Sequence, residues 1–280
     1  MLQTLTKQNE LCGEAPEVLA AIIHSAETAN DWTRLAEAWD ALAHYHWRRG
    51  EYKTARTVLN GGLKMLRRFA AEYRRERVML TNTLLMVELF AKNYDLVIDQ
   101  SPAAIADCEQ LQDGDYFRAQ AHRNYADALK HTSDVSRDRV DRAIEQFTAA
   151  SYYFQQAGHL RHFAANDNNL AELYTMIGEF ALAHQFLDRA EKTLKDLGDN
   201  SAIGQTCETR ARLLLANNEL DGALDVILLS VELIPPTERK VLAESYKTKG
   251  DIHARRGEHS HARAAYLEAH RLLMEAGDEG

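Results

Sequence analysis

The segment "NNLAELYTMIGEFALA" at residues 168–183 contains the pattern from which the fold can be inferred. Its apolar residues recur at three- and four-residue intervals, which predicts an amphipathic helix on each side of the "IGE" turn. The small residue Ala171 precedes the turn, the aromatic Phe180 follows it, and Ala183 comes three residues later. Small residues let two helices approach closely, and Gly178 tolerates a left-handed backbone in the turn. The segment therefore predicts a helical hairpin.

The same pattern recurs along the chain, once with about five extra residues in the turn ("RNYADALKHTSDVSRDRVDRA", residues 123–143). The equivalent second-helix positions are Ala55, Val97, Ala143, Ala183, Ala223 and Ala262. Their spacings are 42, 46, 40, 40 and 39 residues, and the 46 contains the longer turn. With only 4 prolines and no convincing strand pattern, the chain is predicted to be all-α and built from tandem helix pairs.

This pattern resembles the tetratricopeptide repeat (TPR) family, in its long-repeat bacterial type of about 40 residues. The residues that match the family signature in the first unit are Trp39, Leu42, Ala43, Gly50, Tyr52 and Ala55. Those in the fourth unit are Leu170, Ala171, Tyr174, Gly178, Phe180, Ala183 and Ala190. The unit around Tyr94 matches less well, because Val97 replaces the small residue and Pro102 is expected to interrupt the second helix.

The resemblance implies an all-α, right-handed superhelical solenoid of about six helix-turn-helix repeats with a concave groove. It assigns residues 33–277 to the repeats, residues 1–32 to an N-terminal capping helix region, and residues 1–280 to a single domain. The segment "AHQFLDRAEKTLKDLGDNSAIGQTCETRARLLLANNEL" at residues 183–220 further resembles TPR segments of bacterial signal-response and transcription regulators. Both a sensor fragment of a larger regulator and a stand-alone adaptor are compatible with this resemblance.

Composition and cysteine usage indicate the compartment. The net charge of −9 argues against a general nucleic-acid-binding surface. The three cysteines, Cys12, Cys108 and Cys207, form no metal-ligand or disulfide pattern, which suits a reducing environment. The N-terminus lacks the apolar core of a signal peptide, and no run of 18 apolar residues occurs. We therefore expect a cytoplasmic protein without membrane association.

The sequence carries no motif for catalysis or for cofactor binding. It contains neither a phosphate-binding glycine loop nor a His-Glu-x-x-His motif, and we expect no catalytic residue, no cofactor and no enzymatic activity. A catalytic triad leaves no local sequence signature, so a deep pocket with convergent titratable groups would be needed to support one. The histidines His253, His259, His261 and His270 would bind a metal ion only if the chain folded back on itself, and we expect exposed turn histidines and no metal site.

In TPR proteins the first helix of each pair lines the groove, and in several subfamilies an Asn there binds peptide backbone amides. The resemblance places Asn124 and Asn169 at that position, one residue before the pairs Tyr125–Ala126 and Leu170–Ala171. It places further inward-facing residues at Arg123, Asp127, Asn168, Glu172, Glu208, Arg212, Lys247 and Asp251. Asn166 and Asp167 are expected to face the preceding repeat or solvent. An Asn at this position also bonds to the neighbouring repeat in such proteins, which is the alternative interpretation.

The leading prediction is a non-enzymatic adaptor or sensor that binds a protein or an extended peptide in its groove. Self-association through the terminal helices is a second expectation, because the end faces of a solenoid need to be covered. The alternative function uses the basic segment 48–77, which has ten Lys/Arg against three Glu and includes Arg67, Arg68, Arg74, Arg75 and Arg77. Basic residues near a helix C-terminus have an ordinary explanation in the helix dipole, whereas an acidic partner or nucleic acid would be a functional one.

Overall fold

In the computed structural model, residues 15–69, 72–132 and 136–278 are described, and they form thirteen α-helices and one short 3-10 helix but no strand. The predicted all-α class is confirmed. Cys12, with the first fourteen residues of the predicted capping region, lies outside the described residues. The helices are α1 Ala15–Ala29, α2 Trp32–Arg48, α3 Tyr52–Leu66, α4 Arg74–Phe90, α5 Tyr94–Glu109, α6 Asp115–His131, α7 Arg137–Gln156, α8 Leu160–Met176, α9 Phe180–Leu197, α10 Asn200–Ala216, α11 Leu220–Leu233, α12 Arg239–Arg255 and α13 His259–Asp278.

From α2 onward the helices pack in six consecutive pairs, and the six aligned positions of the predicted repeat lie where the pattern placed them. Ala55, Ala143, Ala183 and Ala223 are completely buried on the second helices, and Ala262 is 4% exposed. Val97 is also completely buried, so the pair α4–α5 accepts a larger side chain at this contact. A buried small residue lets the second helix lie close to the first, which is the packing that the repeat predicts.

The six first helices share one length, which puts their residues in a common register. Each of α2, α4, α6, α8, α10 and α12 contains 17 residues. The tenth residues of these helices, which we call position 10, are Ala41, Thr83, Asn124, Asn169, Thr209 and Thr248. Asn124 and Asn169 therefore occupy equivalent positions, and residues of different repeats can be compared position by position.

The turns within the pairs use the left-handed backbone that the sequence predicts. Gly178 has φ +79°, and Asn218 takes the same role at φ 63° in the turn between α10 and α11. Lys92, in the weakly matching unit, also has a positive φ of 62°, although a lysine side chain disfavours it. The hairpin geometry is therefore maintained even where the turn residue is unfavourable.

The expectation that Pro102 interrupts the second helix of its unit is wrong. Helix α5 runs continuously from Tyr94 to Glu109 with Pro102 inside it. A proline removes one backbone N–H from the helix, but its own side chain is exposed here, while Val97 and Cys108 on the same helix are fully buried. Packing of the buried face maintains the helix through the missing hydrogen bond.

The chain divides into two compact units, Met1–Ala157 and Gly158–Gly280. The first unit has a core in which Leu59, Leu66 and Leu80 are completely buried. Trp39 packs at its edge so closely that a Cβ on Gly62 would lie 2.7 Å from the indole ring. The second unit has its own core, which includes Leu187, Leu213 and Ile227. The assignment of residues 1–280 to a single domain stays a prediction.

Across the described ranges, none of the helices combines the length and the apolar character needed to cross a bilayer.

Candidate functional site

The second unit contains two adjoining cavities on its first helices, α8, α10 and α12, which we call together the charged groove. The cavities measure about 540 Å³ and about 430 Å³. They share Glu208, Arg212 and Glu244 as lining residues, so they form parts of one depression. Polar and charged side chains dominate its walls, while Val241 and Leu273 add apolar surface to the larger cavity.

The groove is lined by one face of each first helix. On α10 the lining residues of the larger cavity follow the i, i+3, i+4, i+7 spacing of a single helix face, and they are Gln205, Glu208, Thr209 and Arg212. The smaller cavity also includes Leu215 and Ala216 at the end of α10. Helix α8 contributes Asn168 and Glu172, which lie one helical turn apart. The lining residues of α12 are Lys240, Val241, Glu244, Ser245, Lys247, Thr248, Asp251 and Arg255. Equivalent faces of three successive repeats therefore build one surface.

Ion pairs and hydrogen bonds connect the three helices across the groove. Arg212 on α10 donates from Nη1 to Glu172 Oε1 on α8 at 2.9 Å, and it lies 3.9 Å from Glu208 Oε2. Thr248 on α12 donates from Oγ1 to Glu208 Oε1 at 2.6 Å. The two carboxylates are largely buried, with 15% and 14% of their side chains exposed, whereas Arg212 is 51% exposed. The arginine is thus held in place and still accessible to a ligand.

The electrostatics of the groove favour a cation near Glu208. Burial raises the pKa of the Glu208 carboxyl, and the neighbouring Glu172 and Glu244 raise it further. The Thr248 hydroxyl and the Arg212 guanidinium act in the opposite direction without cancelling the effect. A positively charged ligand group beside Glu208 would stabilise its ionised form.

At the other end of the groove, Asp251 is fixed by a residue of the second helix. The Tyr266 hydroxyl on α13 donates to Asp251 Oδ1 at 2.7 Å, and this bond raises the pKa of Tyr266 to about 12. Gly250 permits the contact, because a Cβ at this position would lie 2.4 Å from the Tyr266 ring. The aromatic ring therefore passes directly over the α12 backbone to reach a groove carboxylate.

Six of the predicted groove residues lie together on the charged groove. They are Asn168, Glu172, Glu208, Arg212, Lys247 and Asp251. Asn169 is half-buried and lines neither cavity.

The predicted residues Arg123, Asn124 and Asp127 belong to the first unit. There Asn124 is 8% exposed and donates from Nδ2 to the Asn82 carbonyl of the preceding first helix at 3.0 Å. Arg123 Nε lies 3.5 Å from Asp127 Oδ2. Their role in binding stays a prediction, and the geometry of Asn124 matches the alternative interpretation of a bond to the neighbouring repeat.

The side chains of "NDNN" at residues 166–169 differ from the expectation. Asp167 does not face solvent: it is fully buried and accepts two hydrogen bonds of 2.6 Å from Arg189 on α9, the second helix of the same pair. Asn166 is also fully buried, and neither of its amide atoms has a hydrogen-bond partner among the described residues. Asn168 is the member of the group that lines the groove.

Sequence reasoning missed several lining residues, namely Gln205, Leu215, Ala216, Lys240, Val241, Glu244, Ser245, Arg255 and Leu273. A signal was available for some of them, because Gln205 and Glu244 occupy the same helix position, one turn before predicted groove residues. Leu273 had no such signal, since it lies on the second helix α13. Extending the predicted inward-facing positions by one helical turn would have identified Gln205 and Glu244 but not Leu273.

The residues of the basic segment occupy several environments. Arg67 and Arg68 are exposed on the 3-10 helix Arg67–Phe69, whereas Arg74 and Arg77 are half-buried. The guanidinium of Arg75 lies 5.8 Å from the centre of the Phe117 ring, a cation–π distance. A role for this segment in binding an acidic partner stays a prediction.

Two cysteines are buried, and the last helix exposes apolar side chains. Cys108 and Cys207 are buried free thiols, and burial raises the pKa of each to about 11, which disfavours the reactive thiolate. Helix α13 exposes Leu267, Leu273 and Met274. Self-association through the terminal helices stays a prediction.

No known protein-family profile matches this chain, and no curated protein sequence does. Solved structures do match. The apo form of RapI superimposes with a TM-score of 0.75 at 13% identity, covering 98% of this chain and 96% of RapI. Aspartyl phosphate phosphatase F from Bacillus subtilis gives 0.70 at 13% identity, covering 97% of this chain and 68% of that one.

BtubC from P. vanneervenii gives a TM-score of 0.62 at 14% identity over 81% of this chain and 92% of BtubC. TPR-like repeats of a kinesin light chain from Podosopora anserina give 0.58 at 14% identity over 72% and 95% of the two chains. The chain has a TPR-like fold. At these identities the TPR-like likeness establishes the architecture of helix pairs, and the chemistry of the groove must be argued from its own residues.

Proposed function

We propose that this TPR-like protein is a non-enzymatic adaptor or sensor, and that its charged groove binds an extended peptide or protein segment during intracellular signalling or regulation. The observation that carries the proposal is the charged groove itself. It is a depression of two adjoining cavities lined by equivalent faces of α8, α10 and α12. Most of the predicted groove residues of the second unit lie on it.

The lining residues suit a peptide better than an apolar small molecule. Three carboxylates, Glu172, Glu208 and Glu244, alternate with the cations Arg212 and Lys247 along the groove. Such a surface can pair with side chains of both signs and with the amide groups of an extended chain. Val241 and Leu273 add a place for one apolar side chain. Arg212 and Glu208 are the groups on which we expect binding to depend most.

One of the structural neighbours supports the binding of a partner by analogy. A Rap protein with a TM-score of 0.66 and 14% identity to this chain has been solved in complex with competence and sporulation factor. Another neighbour carries the name aspartyl phosphate phosphatase F. Within our proposal, the groove of this chain recognises its partner without chemical conversion, because its ionisable groups already pair with one another.

The test is selection of a random phage-displayed peptide library on the full chain, followed by fluorescence anisotropy with synthetic copies of the selected peptides. We expect the double variant Arg212→Met/Glu208→Gln to bind these peptides at least about tenfold more weakly, because it removes two charge-assisted contacts. Lys192→Met is the matched control, since this lysine is exposed on α9 and lines neither cavity.

Equal binding by the double variant and the control would contradict the proposal, as would a library that yields no binding peptide. Circular dichroism of each variant shows whether its helical content is retained, so a loss of binding can be separated from a loss of folding.

A further inference from the structure

The same turn sequence, His-x-Arg-Arg-Gly-Glu, occurs twice in the chain, at residues 46–51 and 253–258. In the first copy His46 Nδ1 lies 2.6 Å from Glu51 Oε2, and Arg49 donates from Nε to Glu51 Oε1 at 2.9 Å. In the second copy the corresponding distances are 2.6 Å from His253 to Glu258 and 2.8 Å from Arg256 to Glu258. Each copy of the turn therefore contains a His–Glu pair, and the two pairs have the same geometry.

The two turns differ at the residue eight positions after the histidine. In the second copy this residue is His261, on the first turn of α13, and in the first copy it is Thr54. The rings of His253 and His261 are stacked with their centroids 5.2 Å apart. One ligand atom from each of His253, Glu258 and His261 lies within 4.8 Å of the other two. A group of three metal-binding side chains thus exists at the second turn, whereas the first turn has only the pair among the residues that the structure describes.

We propose that His253, Glu258 and His261 bind a divalent transition-metal ion, with Zn²⁺ as the best match. Two imidazole nitrogens and one carboxylate oxygen are ligands that Zn²⁺ accepts, and a fourth position remains for water. The ion takes the place of the hydrogen between His253 Nδ1 and Glu258 Oε2, and the neutral imidazole of His253 then carries its one N–H on Nε2.

Closing the site requires only small movements of side chains. Metal–ligand bonds of about 2.0–2.2 Å place tetrahedral ligand atoms about 3.3 Å apart. His261 is exposed, so its imidazole can move toward the ion by rotation about its side-chain bonds. His253 and Glu258 are less exposed, at 9% and 33% of their side chains, and they supply the rigid part of the site.

Arg256 prepares the carboxylate for this role. It occupies Glu258 Oε1 and also pairs with Asp221, so the carboxylate is held with Oε2 facing His253. A hydrogen-bonded neighbour that orients a ligand is a usual component of metal sites. Arg255 donates to Asn218 in the turn before α11, so this part of the chain is tied both to α11 and to the turn that precedes it.

The test uses tag-free full-length protein, isothermal titration with Zn²⁺, and the visible absorption of Co²⁺ as a probe of tetrahedral coordination. Wild type is expected to bind one equivalent. His261→Thr, which reproduces the first turn, should weaken binding at least about tenfold. His259→Ala removes an exposed histidine two residues away and should bind as wild type does.

A variant that completes the same ligand set at the first turn provides a second test. Thr54→His adds the third ligand to the first turn and should bring the stoichiometry to two equivalents of Zn²⁺. Zn²⁺ binding by His261→Thr that equals wild type would overturn the proposal, and so would the absence of a second equivalent in Thr54→His. All substituted residues are exposed, so unchanged melting without metal is expected for each variant.

Discussion

The two units use the same positions of their first helices for different chemistry. In the first unit, Thr83 at position 10 donates to Asp40 Oδ1 at 2.6 Å, and Asn124 at position 10 donates to the Asn82 carbonyl at 3.0 Å. These four residues are at most 8% exposed. In the second unit, Thr248 at position 10 also donates to the preceding helix, but its acceptor Glu208 lines an open groove.

Position 10 can connect successive repeats. Thr83, Asn124 and Thr248 each donate to the residue at position 9 of the preceding first helix, whether the acceptor is a backbone carbonyl or a carboxylate. Thr209, also at position 10, donates instead to the Gln205 carbonyl of its own helix. Ligand-binding character arises when the surrounding residues remain charged and partly exposed, as around Arg212. An Asn at position 10 is therefore a weaker indicator of a binding site than charged, partly exposed residues on the adjacent turns of the same helix face.

The largest expected effect tests whether the ion pair between Arg189 and Asp167 in the second unit stabilises the fold. Arg189→Met should lower the free energy of unfolding by about 3 kcal/mol, because it removes the guanidinium that donates two hydrogen bonds to the fully buried Asp167 carboxylate. Arg137→Met provides the control, since it disrupts an exposed pair with Asp141 and should change stability by less than about 0.5 kcal/mol. Urea denaturation measures both, and equal effects would show that Asp167 is accessible to water.

The next prediction compares the stability cost of one substitution in the first unit with that of one substitution in the second. Asn124→Ala should cost about 1.5 kcal/mol, because it removes a buried hydrogen bond of the first unit. Arg212→Met should cost less than about 1 kcal/mol, since the arginine is half-exposed and its ion pairs are screened by solvent. Urea denaturation of the two variants tests this order, and the reverse order would mean that the charged groove is the main support of its unit.

A smaller effect depends on pH. The pKa of Glu208 is raised in the folded state by burial, so the folded protein binds more protons than the unfolded chain between the unfolded value of 4.5 and the raised value. Stability from this group therefore falls as pH increases through that window. The free energy of unfolding of Glu208→Gln, measured by urea titration, should increase relative to that of the wild type as pH rises from about 4 to 7. The exposed Glu145→Gln controls for loss of one negative charge, and the same trend in it would refute the assignment.

The smallest effect concerns an amide that serves neither the contacts between repeats nor the groove. Asn166→Ala should leave thermal stability within about 0.5 kcal/mol of wild type or raise it, because both of its amide atoms are buried without a partner. Alanine already occupies the equivalent position in the first and third pairs, at Ala38 and Ala121. A loss of more than about 2 kcal/mol in calorimetry would reveal a hydrogen bond that this amide makes in solution.

The repeat could be predicted from the sequence because its packing depends on residue size at fixed intervals. Ala55 and Ala183 are buried where the alignment placed them, and the first helices share the inferred register. The outcome at Pro102 could not be predicted, because burial of the neighbouring face outweighs the local effect of proline. The direction of Asp167 depended on a partner, Arg189, that lies on another helix. The inward charges of α8 and α10 were found from the register, whereas Leu273 required knowledge of how α13 packs.

The close packing of Trp39 against Gly62 has a practical consequence for following unfolding. All three tryptophans, Trp32, Trp39 and Trp47, lie on α2 in the first unit, and residues 158–280 contain tyrosine but no tryptophan. Indole emission therefore reports on one unit, whereas far-ultraviolet circular dichroism reports on the helices of both. Coincident transitions in the two signals would identify a single cooperative system, and separated transitions would assign each unit its own stability. The molecule thus carries an intrinsic spectroscopic label for one of its halves.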